Sequence, residues 1–112
     1  MSIPNLNIVG IGKMGGNWAS ALSDFEKSGY IRFSAISDIN PELISYVKSS
    51  YPRRKFYLDY KEMISKENPD GIVIAVPAGY HLCIVRGCAD SGCGKLLVEK
   101  PFAPLRNLKE GI

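Results

Sequence analysis

A set of glycines, an aspartate, a histidine and a lysine hold the chemistry open to this sequence. Gly10, Gly12 and Gly15 stand in Gly-x-Gly-x-x-Gly spacing within Asn7-Ile8-Val9-Gly10-Ile11-Gly12-Lys13-Met14-Gly15. An apolar run leads into the first glycine, and apolar residues at helical spacing follow the last. In that setting Gly10 turns the chain sharply, Gly12 admits a pyrophosphate against bare backbone, and Gly15 lets a helix beginning there lie close on the strand. The helix N-terminus adds unpaired N–H groups and the positive end of its dipole, which suits the phosphates of a dinucleotide. The same residues also read as a tight strand-to-helix turn without a ligand. Asp38 follows the next apolar run. Its carboxylate either accepts hydrogen bonds from adenosine ribose hydroxyls or serves a turn before Asn40, itself a good helix N-cap. In the first role it repels a 2′-phosphate, and neither Ile39 nor Asn40 offsets that with a cation. The expected cofactor is therefore NAD rather than NADP.

Residues so placed need alternating strands and helices to bring them together. The predicted strands cover residues 6–11, 31–37, 55–58, 71–76 and 95–98, the third short and at an edge. The first helix carries Met14, Trp18, Ala21, Leu22 and Phe25 at helical spacing, with Trp18 read as a core contact rather than a stacking platform. Asn40-Pro41 opens the second, where proline's missing donor costs little, and Leu43, Ile44 and Val47 form its inner face. Asp59 opens the third, and Asn68-Pro69-Asp70-Gly71 is a turn. The unbroken run 71–76 is a strand buried on both faces. His81 opens the fourth helix, with Ile84, Val85, Cys88 and Ala89 inward and Gly92 at its end. This alternation predicts an α/β doubly wound parallel sheet (Rossmann) with strand order 3-2-1-4-5 and helices on both faces. Its crevice lies at the carboxyl ends of strands one and four, with Val76 and Pro77 on the edge.

The 112 residues suit one domain, here residues 1–112 as a dinucleotide-binding unit, and 46% hydrophobic with 22% charged content suits a globular chain. No apolar run approaches the roughly 20 residues of a membrane span, and no signal peptide is evident, so a cytoplasmic location is expected. Cys83, Cys88 and Cys93 lack Cys-x-x-Cys spacing and the chain has one histidine, so no metal site is expected. Net charge is a mild +3. Arg53-Arg54-Lys55, the one basic run, reads as a solvated loop; an adenosine-phosphate contact or a nucleic-acid patch is the alternative, but three basic residues without interleaved aromatic platforms argue little for it, and no nucleic-acid partner is expected.

Three pieces together, Gly10-Ile11-Gly12-Lys13-Met14-Gly15, Val76-Pro77 with His81 in a Pro-x-x-x-His pattern, and Glu99-Lys100-Pro101, resemble the glucose–fructose oxidoreductase / inositol dehydrogenase (Gfo/Idh/MocA) family. The Glu-Lys-Pro triplet is the most specific, since many unrelated Rossmann proteins share the glycines. The resemblance runs over residues 6–104. It implies the N-terminal NAD(P)-binding domain of an enzyme that oxidises or reduces sugars, polyols or related hydroxy compounds by hydride transfer. It also implies cofactor contacts from Gly10, Gly12, Lys13, Met14, Gly15, Asp38, Val76, Pro77, His81, Glu99 and Lys100. Lys100 matches the lysine that reaches the nicotinamide ribose and the substrate hydroxyl, which makes it the candidate catalytic residue. A cation there can hydrogen-bond a substrate oxygen and assist proton movement. Glu99 and Pro101 shape the turn that presents it. His81 either caps its helix near the cofactor or touches the cofactor.

Two departures stand out. The family often carries an asparagine after the proline, whereas Ala78-Gly79 offers no side-chain amide. Family enzymes also continue into a second α/β domain that supplies most substrate contacts, and residues 1–112 are expected to correspond to the first domain without that second domain or a sixth strand. The expectation is a domain that binds NAD weakly, turns nothing over alone, and associates with a copy or another chain across the edge of strand five. The alternative is a stand-alone module that binds or senses a dinucleotide.

Overall fold

The computed structural model describes residues 3–92 and the backbone of 96–98. Its elements are β1 (Asn5–Val9), α1 (Lys13–Lys27), β2 (Arg32–Ser37), α2 (Pro41–Lys48), β3 (Lys55–Tyr57), α3 (Tyr60–Glu67), β4 (Gly71–Ile74), α4 (His81–Asp90) and β5 (Leu96–Val98). The strands form one parallel sheet in the order β3-β2-β1-β4-β5. This is the expected doubly wound order.

Period-two alternation divides the strands between two apolar layers. Ile8, Ile36 and Val73 pack with Ala19 and Leu22 of α1 and Ile44 of α2. Val9, Ala35, Ile72 and Ile74 pack on the other face with Met63 of α3 and Cys88 of α4. All four residues of β4 are buried, as a strand covered on both faces requires.

Two strands are shorter than the apolar runs suggested, because of the glycine loop. Gly10 takes φ +99, which leads the chain out of the ladder after Val9 although its N–H still donates to Ser37 O at 2.8 Å. Opposite it, β4 ends at Ile74, and the Ala75 carbonyl lies against Gly10.

Helix α1 begins at Lys13 rather than Gly15, with Gly12 as its N-cap. Its buried stripe is Gly15, Ala19 and Leu22, one residue round from the predicted one. Met14 and Phe25 stand 42% and 51% exposed. Gly15 sets this rotation: it presses on the loop it follows, and the residues four and seven further on share its face. Helices α2 and α3 start as their caps dictate, with Asn40 Oδ1 accepting from Glu42 N–H and Asp59 Oδ1 from Lys61 N–H, each at 2.9 Å.

Of the basic run, Arg53 and Lys55 are exposed as expected, but Arg54 is not a solvated side chain. Arg54 is 10% exposed, pairs with Glu26 at 2.7 Å, and lies 4.7 Å over the Phe33 ring. Glu26 also accepts from Phe33 N–H at 2.9 Å. A charge this buried needs a partner, and Glu26 at the end of α1 supplies it.

Candidate functional site

The carboxyl ends of β1, β2 and β4 border a cleft of about 350 Å³. Gly10 and Gly12 enter it from the loop after β1, and Ser37, Asp38, Ile39 and Asn40 from the end of β2. Leu58 comes from the β3–α3 connection, Tyr60 from the start of α3, and Val76, Pro77, Tyr80 and Ile84 from beyond β4. Most of this wall is apolar. Ile39, Leu58 and Tyr80 are 81%, 53% and 58% exposed, large apolar groups facing water around one concavity. Clustered exposure of this kind marks a ligand surface more than scattered hydrophobes do.

The three motif glycines are small for three different reasons. Gly10 needs its positive φ, and a Cβ on it would stand 2.6 Å from the Ala75 carbonyl oxygen. A Cβ on Gly15 would overlap the Gly10 carbonyl oxygen and lie 2.8 Å from its carbon. Gly12 has ordinary φ, and a Cβ there would meet nothing within 4 Å. Neither backbone strain nor packing explains a glycine at 12, and the open space lies beside the N-terminus of α1. No side chain caps that terminus, so its first-turn N–H groups have no side-chain acceptor.

Asp38 does more than its sequence position suggested. One carboxylate oxygen accepts from Asn40 N–H at 2.8 Å, the turn-closing role. The other accepts from Ile11 N–H at 2.8 Å and so ties the glycine loop to the end of β2. Each carboxylate oxygen has two acceptor positions, which leaves capacity for a ribose hydroxyl. Beside it, Ser37 is 1% exposed and its Oγ has no hydrogen-bond partner. Across the cleft, burial and then the neighbouring Cys88 raise the Tyr60 phenol above its ordinary pKa.

The structure thus gathers Gly10, Gly12, Asp38, Val76 and Pro77 around one cleft, with Gly15 packed behind the loop. Lys13 and Met14 are exposed on the first turn of α1, outside the cleft lining. His81 begins α4 after a short 3-10 turn over Ala78–Tyr80, and its side chain lies outside the described groups. Glu99, Lys100 and Cys93 lie outside the described residues. The sequence reading missed the apolar wall of Ile39, Leu58, Tyr60, Tyr80 and Ile84. Leu58 is the last residue of the predicted third strand and Ile39 lies two residues past the predicted second, both at the carboxyl edge of the sheet, but hydrophobic periodicity alone does not mark them as cleft residues.

Among the described residues, no His, Cys, Asp and Glu side chains group in threes that could hold a metal ion. No helix among them is long and apolar enough to cross a membrane.

A family model described as "Oxidoreductase family, NAD-binding Rossmann fold" (Gfo/Idh/MocA) matches residues 5–111. Solved structures share the fold. Myo-inositol 2-dehydrogenase from Lactobacillus plantarum is 24% identical over 97% of this chain and 32% of its own, with a TM-score of 0.77. The WlbA dehydrogenase from Bordetella pertussis, in complex with NADH and UDP-GlcNAcA, is 25% identical over 91% of this chain and 30% of its own, with a TM-score of 0.78. Scyllo-inositol dehydrogenase from Lactobacillus casei, with bound NAD(H) and scyllo-inositol, is 21% identical over 98% and 32%, with a TM-score of 0.78. The chain spans about a third of the length of these structures. No curated protein matches it in sequence.

Proposed function

The chain belongs to the Gfo/Idh/MocA oxidoreductase family, matching its NAD-binding Rossmann region, and from that premise we propose that the cleft holds NAD for hydride exchange with a sugar, polyol or related hydroxy compound. The observation that carries the reading is the unfilled space at Gly12, beside an uncapped helix N-terminus and the Asp38 carboxylate. A pyrophosphate fits that space and those N–H groups, which carry the positive end of the α1 dipole. Asp38 accepts from the adenosine ribose, and the purine lies in the apolar cleft between Ile39, Leu58 and Tyr80. Val76 and Pro77 border the path toward the nicotinamide end, where His81, Glu99 and Lys100 belong in this reading. Bound there, the nicotinamide ring supplies a hydride acceptor or donor. Lys100 holds the substrate oxygen and assists its proton.

These 112 residues constitute the dinucleotide-binding domain, and substrate contacts come from elsewhere in the enzyme. Alone, they bind NAD and turn nothing over, because hydride transfer needs the substrate carbon aligned within about 3–3.5 Å of its acceptor. A second copy or another chain covers the far side of β5, which size-exclusion chromatography tests.

Calorimetric titration with NAD and NADP tests the cofactor assignment. NAD binds and NADP binds more weakly, since its 2′-phosphate meets Asp38. Absence of NAD binding by the folded chain, or tighter binding of NADP, overturns it.

A further inference from the structure

Gly87 lies inside α4, buried and without the positive φ that calls for glycine. Mid-helix glycine costs about 1 kcal/mol relative to alanine, so its smallness needs a cause. The cause is Tyr60. A Cβ on Gly87 would overlap the Tyr60 hydroxyl and stand 2.8 Å from Cζ and 3.1 Å from Cε2. Tyr60 is the first residue of α3, on the far side of the cleft mouth, and its side chain spans from there to α4. The same residue lines the cleft, as does Ile84, one turn before Gly87 on α4.

We propose that Gly87 is a notch that seats the Tyr60 hydroxyl, and that this seat holds the Tyr60 ring as a wall of the cleft where the purine binds. The proposal rests on the reading that the cleft takes the adenosine half of a dinucleotide. Tyr60 is then a specificity-determining residue and Gly87 the positioning residue behind it.

The two kinds of close-packed glycine in this chain differ in what yields. At Gly15 the obstructing group is backbone, which cannot move without dismantling the loop. At Gly87 it is the far end of a side chain, and the open side available to the ring is the cleft. A methyl group at 87 therefore leaves the fold standing and drives the ring into space the purine needs.

The test is a double-mutant cycle on the full chain with Gly87→Ala, Tyr60→Leu and both together, measuring the Kd of NAD and of AMP by calorimetry and NMR titration. Circular dichroism and thermal melting establish the fold of each variant. Loss of a well-placed aromatic wall corresponds to roughly tenfold in affinity. Gly87→Ala is expected to weaken NAD and AMP by the same factor of about that size, and the double variant to bind as Tyr60→Leu does, since without the ring the methyl has nothing to displace. A merely structural glycine would instead lower the melting temperature and keep its effect in the Tyr60→Leu background. The proposal is overturned if Gly87→Ala binds NAD as the wild type does, if NAD weakens and AMP does not, or if the loss persists with leucine at 60. Should Gly87→Ala fail to fold, Tyr60→Leu alone decides: it must weaken AMP and NAD equally. Wild-type chain that binds neither ligand overturns the cofactor reading along with this one, whereas wild-type binding with an indifferent Gly87→Ala overturns only the notch.

Discussion

The two ends of the one parallel sheet are built from opposite materials. At the amino end, most polar groups serve to close the fold, although Asn5 Oδ1 and Arg54 Nε are buried without a hydrogen-bond partner. Asn5 N–H donates to Asp70 at 2.7 Å, its side-chain amide donates to the Glu67 carbonyl at 3.2 Å, and Arg54 pairs with Glu26 over the Phe33 ring. At the carboxyl end, Asp38 ties two backbone segments, Ser37 Oγ is left unpartnered, and the remaining wall is apolar and open to water. Strand polarity explains the division. In a parallel sheet all strand-to-helix connections on one side carry helix N-termini, so one end gathers positive dipole ends and short loops while the other can be sealed. Substitutions at the sealed end should therefore change stability without changing affinity, and those at the open end should do the reverse.

The largest departure from that division belongs to Gly15, which serves both ends of the argument. Gly15→Ala forces the Gly10 carbonyl aside, and overpacking against backbone costs about 3 kcal/mol or more. Urea unfolding should show most of the chain's stability gone, with NAD binding lost as a consequence; a cooperative, near-wild-type transition would mean the loop repacks freely.

Next comes the sealed end. Arg54→Met removes one member of a buried pair and the cation over Phe33, and is expected to destabilise by about 2–3 kcal/mol, reduced from the fully buried case because Glu26 is 32% exposed. Affinity for NAD, measured where the variant is folded, should not change. Weakened NAD binding would break the division between the ends.

Asp38→Ala acts at the open end. Losing a charge-assisted hydrogen bond to ribose is expected to cost about 1.5–3 kcal/mol in NAD affinity. The variant also releases Ile11 N–H, so hydrogen exchange at that amide should rise in the free protein. Unchanged exchange would show that the loop holds itself without the carboxylate.

The smallest effect is a pH dependence. Tyr57 on β3 donates to Glu67 at the end of α3, and its phenol is pushed up to about 12 by burial, by that hydrogen bond and by the charges of Glu67 and Glu62. An unfolded tyrosine titrates near 10, so the folded chain holds this proton more tightly. The contribution is full below about pH 10 and is lost as pH rises through about 12. The stability difference between wild type and Tyr57→Phe should shrink over that window, and a constant difference would show that the tie does not depend on the proton.

Strand order and cap positions were legible in the sequence because they rest on local rules. Asn40-Pro41, Asp59 and the apolar run before Gly10 each announce their structure within a few residues. What was not legible depends on distant partners. Arg54 looks like any loop cation until Glu26, far away in sequence, comes beside it. Met14 and Phe25 fit a helical stripe as well as Gly15 and Ala19 do, and only the press of Gly15 on the loop decides which stripe turns inward. Of the candidate site, the glycines, Asp38, Val76 and Pro77 were readable, whereas Ile39, Leu58 and Tyr80 were not, because hydrophobic periodicity does not separate a side chain that fills a core from one that lines a cleft.

The central claim is that the space at Gly12 belongs to a ligand and not to the fold. Gly12→Val puts a side chain into that space with nothing of the protein to strike. Calorimetric titration of this variant with NAD, alongside thermal melting of the same sample, tests the claim directly. The account predicts a melting temperature close to wild type and NAD binding lost, because the added side chain occupies the room of the pyrophosphate. A folded Gly12→Val chain that binds NAD as wild type does would contradict it.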